Sequence, residues 1–98
     1  MWYPTPSQHL TDPQGRPYFL WDEETTLEDF RRQLAQPSPH LRAAALGKVM
    51  RQGKPDDVFL FATVQEVRSL WPLLLPYLGQ TRAFWSWLLQ QWEAKGLV

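Results

Sequence analysis

The chain has 98 residues, and its ten basic and ten acidic side chains give a formal net charge of zero at pH 7. It contains no cysteine, which excludes disulfide frameworks, thiolate zinc sites and cysteine nucleophiles. No segment has the pattern of a signal peptide or the ~18–20 apolar residues of a membrane span, so we expect a cytoplasmic protein that does not enter the membrane. The length predicts a single domain over residues 1–98, and six Trp, five Phe and three Tyr are available for its core.

Residues 1–21 are predicted to form a proline-rich arm, because four of the nine prolines lie before residue 18. Residues 12–15 suit a type I turn, with proline at the second position and glycine at the fourth. The flanking segments 8–11 and 18–21 could then pair as a small β-hairpin. Four aromatic residues are expected to hold the arm on the helical body: Trp2, Tyr3, Phe19 and Trp21.

Residues 22–98 are predicted to form the helical body, beginning with a helix over 22–36. Thr25 or Thr26 can cap this helix, and Pro37 stops it. Its apolar side chains recur at helical spacing and form one stripe: Leu27, Phe30 and Leu34.

A second helix is predicted to begin with Ser38 as its cap and Pro39 at its first position. A backbone N–H at that position has no acceptor within the helix, so its absence in proline costs no hydrogen bond. Alanine at 43–45 and Gly47 leave little side-chain bulk on this helix. A neighbouring segment could therefore approach its backbone closely. The helix is expected to end at Gly53.

Pro55 opens a short third helix. Periodicity alone would also allow a buried strand over 58–62. The proline start and the capping box between Thr63 and Glu66 instead favour a helical turn followed by a fourth helix.

A last helix is predicted to begin after Thr81, which can cap it, and to end near Gly96. Its core stripe consists of five large side chains: Phe84, Trp85, Leu88, Leu89 and Trp92. The patterns together predict an all-α fold of about five short helices in a solenoid-like stack of helix hairpins.

Trp87 points about 130° away from the centre of that stripe, at 3.6 residues per turn. Two interpretations stay open. The arm's Trp2 or Tyr3 could cover Trp87, or Trp87 could anchor a protein interface, where Trp is enriched and charges are depleted. The neighbours of Trp87 on the helix surface carry no charge: Ala83, Gln90, Gln91 and Ala94.

Acids and bases occupy separate blocks of the chain. Residues 12–29 hold six acids and one base, and residues 31–54 hold six bases and no acid. The two blocks could neutralise each other once the arm folds back. A pI near 6.7 is low for a domain that reads a nucleic-acid groove, so nucleic-acid binding is the secondary hypothesis. Its candidate basic surface comprises Arg42, Lys48, Arg51 and Lys54.

No pattern in the chain predicts catalysis, a metal or a cofactor. The two histidines, His9 and His40, lack the additional ligands or the positioned nucleophile that such roles need. The Asp56–Asp57 pair follows a proline, as acids at helix N-termini commonly do. We therefore expect a protein that is not an enzyme and holds neither metal nor cofactor.

Three segments resemble a group of short bacterial helical proteins: GRPYFLWD at 15–22, LRAAALGKVMRQGKPDDVFLF at 41–61 and RSLWPLLLPYLGQTRAFWSWLL at 68–89. Members of this group are often encoded beside nucleotidyltransferase-type toxin genes. The resemblance implies an accessory or antitoxin-like protein that binds a partner protein, and it assigns no site residues because the group has no known catalytic motif. Self-association through the Trp87 face is a variant of the same expectation.

Overall fold

The computed structural model describes residues 3–98, and the regular elements of this range are all helical. The predicted all-α fold is confirmed, with seven short α-helices in the described range rather than about five. They are α1 (Ser7–Leu10), α2 (Leu27–Leu34), α3 (Pro39–Gln52), α4 (Pro55–Val58), α5 (Val64–Ser69), α6 (Trp71–Leu74) and α7 (Arg82–Ala94). Three 3₁₀ turns join them: Tyr18–Leu20, Leu75–Tyr77 and Gly79–Thr81.

The helix α3 lies at the centre of the fold. It packs against α2, α4, α6 and all three 3₁₀ turns. A stack of helix hairpins is therefore only an approximate description, because the other elements surround one helix. The side chains that α3 contributes to the core are small or medium in size: Ala43, Ala45, Leu46, Val49 and Met50.

The small residues of α3 permit one close approach. A Cβ atom added to Gly47 would lie 2.5 Å from the Cβ of Tyr77, in the 3₁₀ turn Leu75–Tyr77. Glycine is therefore required at this position for the turn to lie against α3. From this turn the chain continues to the start of α7.

The capping predictions hold at three helix starts. The Ser38 hydroxyl accepts the Leu41 N–H, with Pro39 in the first turn of α3. Thr26 accepts the Asp29 N–H at the start of α2. Thr63 forms a reciprocal capping box that begins α5.

The predicted cap of α7 is wrong. The Thr81 hydroxyl donates to the carbonyl oxygen of Leu78 at 2.5 Å and does not cap α7. The end of α7 is as predicted. Gly96 has a φ of +73°, and the following Leu97 N–H bonds back to the Trp92 carbonyl.

The predicted first helix over 22–36 is shorter than expected, because α2 begins only at Leu27. Ahead of it, Asp22 and Glu23 lie beside Lys48 of α3. The Leu27 N–H bonds to the Gly15 carbonyl at 2.8 Å. Contacts with distant parts of the chain thus hold residues 22–26 outside the helix.

The predicted β-hairpin in the arm is wrong. Segment 8–11 lies mostly in α1, and segment 18–21 contains a 3₁₀ turn. Only one isolated antiparallel bridge joins Thr11 and Pro17 within the described range. It closes the predicted turn, where the Gly15 N–H bonds to the Asp12 carbonyl.

The arm is held by fewer aromatic residues than predicted. Phe19 is fully buried and packs edge to face with Phe30 and Phe61. Tyr3 and Trp21 are exposed, so their side chains do not anchor the arm. Trp2 lies outside the described residues.

Candidate functional site

The surface of α7 that faces away from the core carries two large aromatic side chains. Trp87 is 55% exposed and Phe84 is 42% exposed. Their ring centroids lie 6.4 Å apart, as expected for positions i and i+3 of a helix. We call the surface formed by Ala83, Phe84, Trp87, Gln90, Gln91 and Ala94 the aromatic face.

The aromatic face contains the five residues that the sequence predicted, together with one that it assigned to the core. Phe84 was expected in the core stripe, and this prediction is wrong. The buried stripe of α7 consists of Trp85, Leu89 and Trp92, while Leu88 is half-buried. Trp87 lies about 170° around the helix from the centre of that narrower stripe. The i, i+3 spacing of Phe84 and Trp87 was the available sequence signal.

The other members of the aromatic face are accessible and uncharged. Ala83, Gln90 and Ala94 are exposed, and Gln91 is half-buried. Tyr3, one of the two arm residues that were candidates to cover Trp87, is 68% exposed, and its backbone N–H donates to the Asp56 carboxylate. The other, Trp2, lies outside the described residues.

The core side of α7 is fixed by an aromatic anchor. Trp85 is fully buried, and its indole N–H donates to the carbonyl of Met50 in α3 at 2.9 Å. Phe59 packs edge to face with Trp92. With its opposite side buried in this way, the helix presents the aromatic face to solvent.

The four residues of the candidate basic surface do not form an open patch of positive charge. Lys48 pairs with Asp22 at 2.7 Å and Glu23 at 3.3 Å, and hydrogen bonding from Lys48 lowers the pKa of Asp22. Arg42 is half-buried, and its guanidinium donates to the carbonyls of residues 36 and 37.

The remaining two basic residues are exposed. The side chain of Arg51 lies near Gly79, beside the 3₁₀ turn that precedes α7. Lys54 precedes α4, and its backbone N–H donates to the Tyr18 hydroxyl. The acidic and basic blocks therefore meet at Lys48, while Arg51 and Lys54 face solvent.

Asp57 is the one charged residue that is fully buried in the described part of the chain, and the sequence did not single it out. Its carboxylate accepts the Thr5 N–H and the Thr5 hydroxyl, both at 2.6 Å, and also the Tyr18 hydroxyl. Two segments of the arm thus converge on one carboxylate. We call this cluster of Thr5, Tyr18 and Asp57 the arm latch.

The arm latch shifts the pKa of both of its titratable groups. Burial alone would raise the pKa of Asp57. The bonds from Thr5 and Tyr18, with the nearby charge of Lys54, more than offset burial and hold that pKa below its usual value. Burial and the bond to Asp57 raise the pKa of Tyr18 to about 12. Both shifts favour an ionised Asp57 carboxylate that accepts hydrogen bonds from neutral donors.

A groove of about 400 Å³ lies between α2 and α3. Its floor consists of the buried side chains of Leu20, Phe30 and Ala45, and Leu41 is exposed at its side. The polar groups at its edge are Glu23, Gln33, Gln36 and Lys48. The groove is large enough to accept an apolar side chain.

Within residues 3–98, no group of three or more metal-ligating side chains converges, and no helix is long and apolar enough to cross a membrane. Comparisons with known proteins give no match to a family model, to a curated protein or to a solved structure.

Proposed function

We propose that this protein is a non-enzymatic interaction module of the cytoplasm that binds a partner protein through the aromatic face. The observation that carries the proposal is the exposure of Trp87 beside Phe84 on a face without charge. Adjacent exposed aromatic side chains on an uncharged surface are typical of protein-binding sites, and Trp is among the residues enriched at the centres of interfaces.

The core of α7 supports this assignment. Because Trp85 and Trp92 on the opposite side are buried, the helix does not need Trp87 for its own packing. A partner could cover Trp87 and Phe84 without any rearrangement of the fold. Gln90 and Gln91 would supply hydrogen-bonding groups beside the apolar contact.

The partner class comes from the resemblance of the chain to short bacterial proteins encoded beside toxin genes. It suggests a nucleotidyltransferase-like toxin as the bound protein, with this chain as the accessory or antitoxin-like component. Nucleic-acid binding is less favoured than protein binding, because Lys48 forms ion pairs with the carboxylates of Asp22 and Glu23.

Affinity capture with matched variants tests the proposal. Tagged wild-type, Trp87→Ala and Trp21→Ala chains are used as baits in extract of the native host. Trp21 is the control, because it is 74% exposed but lies outside α7. We expect the wild type and Trp21→Ala to retain a stoichiometric protein partner, and Trp87→Ala to retain at least tenfold less.

The intact mass and the ultraviolet absorbance ratio of the eluates show whether the captured partner is a protein or a nucleic acid. Equal capture by Trp87→Ala and Trp21→Ala would contradict the proposal. Elution of salt-sensitive nucleic acid that is lost on Lys48→Glu with Arg51→Glu would favour the basic surface instead. Circular dichroism of each bait checks that the fold is intact.

A further inference from the structure

We infer that the groove between α2 and α3 binds a small organic amine, with the apolar body of the ligand on the groove floor and its ammonium group beside Glu23. None of the described residues that line this groove belongs to α7, so the site is separate from the aromatic face. Three features carry the inference: the size of the groove, its apolar floor and the charges at its two ends.

The groove has the dimensions of a small-molecule site. Its volume of about 400 Å³ lies within the ~300–1,000 Å³ that is usual for ligand pockets. Along α3 it extends from Leu41 to Lys48, which corresponds to about 10 Å at the helical rise per residue. A ring with a short chain fits such a space. A helix of a partner protein, about 10 Å wide, would cover the groove rather than enter it.

The floor of the groove is apolar and is packed against the core. Phe30 is 1% exposed, and it packs edge to face with Phe19 and Phe61 beneath the groove. Leu20 and Ala45 are also buried. A ligand body that covers this floor gains about 25 cal/mol for each Å² of apolar surface removed from water.

The end of the groove beside Glu23 carries an excess of negative charge. Lys48 lies 2.7 Å from Asp22 and 3.3 Å from Glu23, so one ammonium group faces two carboxylates. The cluster therefore keeps one net negative charge. The Lys48 side chain is only 19% exposed, and salt screens partly buried charges much less than charges on the open surface. A second ammonium group at this end would neutralise the cluster.

The Glu23 carboxylate is able to accept that second ammonium group. One of its oxygens accepts the Thr25 hydroxyl, and the other faces Lys48. A carboxylate has about four acceptor positions, so each oxygen has room for a further donor. The bond from Thr25 also orients the carboxylate before a ligand arrives. A ligand ammonium group would then share Glu23 with Lys48.

The opposite end of the groove is unfavourable for an ammonium group. Gln33 and Gln36 place neutral amides at its edge, and the Arg42 guanidinium is bonded to backbone carbonyls just after α2. This polarity gives the ligand one orientation, with its ammonium group at Glu23 and its apolar body directed towards Leu41. The one cation among the described lining residues already faces two carboxylates, so a carboxylate ligand has no partner in the groove.

Three probes that share one apolar body test the charge preference: phenethylamine, phenethyl alcohol and phenylacetate. Two-dimensional NMR of the isotope-labelled full chain, recorded during titration at neutral pH, gives the dissociation constant of each probe. We expect a dissociation constant of about 1 mM for the amine. The alcohol should bind about tenfold more weakly, because hydrogen bonds between charged groups are stronger than those of neutral donors. The carboxylate should show no measurable binding.

The same spectra locate the site. The largest shifts should fall on backbone amides along the groove, at Gln33, Leu41, Ala44, Ala45 and Lys48. Equal affinity for the three probes would overturn the preference for an amine. Absence of shifts with the amine, or shifts confined to other parts of the chain, would overturn the site.

A charge-removing variant tests the contact with Glu23. Glu23→Gln keeps the size of the side chain, so the affinity for phenethylamine should fall about tenfold while that for phenethyl alcohol stays unchanged. Glu28→Gln is the matched control on α2, because the Glu28 side chain is 83% exposed and does not line the groove. Equal losses for the amine and the alcohol on Glu23→Gln would contradict direct binding of the ammonium group by Glu23.

A filled groove tests the apolar part of the site. Ala44 is half-buried and lines the groove, so Ala44→Leu should lower the affinity for the amine at least tenfold. Urea denaturation checks that this variant is folded, and Glu23→Gln remains the decisive variant if it is not. Undiminished binding of the amine by folded Ala44→Leu would overturn the site.

Affinity capture separates this inference from the proposed function. An Ala44→Leu bait should retain the same partner protein as the wild type, because the aromatic face is unchanged. Loss of the partner on Ala44→Leu, without a preference for the amine, would assign the groove to a segment of that protein and overturn the inference. A chain that binds the amine but captures no protein would support the inference while contradicting the proposed function.

Discussion

The N-terminal arm and α7 are both attached to the α3–α4 region, but by different chemistry. The arm converges on the Asp57 carboxylate, which accepts hydrogen bonds from Thr5 and Tyr18. The helix α7 is held by burial of Trp85, Leu89 and Trp92 and by a hydrogen bond from the Trp85 indole to the Met50 carbonyl. The arm thus adds, to its buried Phe19 and Leu20, a polar attachment that depends on the ionisation of one group, whereas α7 buries one side of a helix and leaves the other side exposed.

Loss of Trp85 should have the largest effect on stability. Trp85→Ala removes a fully buried indole and leaves the Met50 carbonyl without its donor, so we expect a loss of about 4 kcal/mol in the free energy of unfolding. Urea denaturation followed by circular dichroism measures it. A loss below about 1 kcal/mol would show that α7 is held by other contacts.

Loss of the Asp57 carboxylate should have the next largest effect on stability. Asp57→Ala leaves the Thr5 donors without their acceptor in a partly buried site, so we expect a loss of about 2 kcal/mol. Asp56→Ala is the matched control, because the Asp56 carboxylate accepts the Tyr3 N–H at an exposed site and its loss should cost under about 1 kcal/mol. Equal effects of the two variants in urea denaturation would refute a special role for Asp57.

The latch should also make stability depend on pH at both ends of the scale. The folded-state pKa of Asp57 is lowered, so its contribution is present above the unfolded value near 3.8 and is lost as the pH falls through the folded-state pKa. The pKa of Tyr18 is raised to about 12, so its contribution is complete below pH 10 and is lost as the pH rises towards 12.

Urea denaturation at a series of pH values measures this dependence. The difference in unfolding free energy between the wild type and Asp57→Ala should shrink in acid. The ultraviolet absorbance of tyrosinate should show one tyrosine that ionises near pH 12 in the wild type. A difference that stays constant below pH 3.8 would count against the ionised latch.

The smallest effect on stability should come from Trp87→Ala, which makes the same substitution as Trp85→Ala on the opposite side of the same helix. Because Trp87 is 55% exposed, we expect a change of less than about 0.5 kcal/mol in the unfolding free energy of the monomer. A loss comparable with that of Trp85→Ala would place Trp87 in the core.

The sequence predicted those features that depend on residues within three or four positions of each other. The starts of α3 and α5 follow from Ser38 with Pro39 and from Thr63 with Glu66, because a capping side chain bonds to the backbone of its own first turn. The orientation of Trp87 away from the core stripe follows from helical geometry in the same way. The prediction of a β-hairpin failed, because the pairing of two short segments depends on what the rest of the fold places against them.

The sequence by itself therefore determined the all-α class, the main helix starts and the uncharged face around Trp87. Only the tertiary structure decided that Phe84 joins that face and that Asp57 is buried as the acceptor of the arm. It also decided that Lys48 is paired with Asp22. Asp57 is separated by 52 residues from Thr5 and by 39 from Tyr18, and no local pattern specifies a contact across such distances. Local chemistry fixes where helices begin and which way their side chains point, whereas packing decides which of those side chains water can reach.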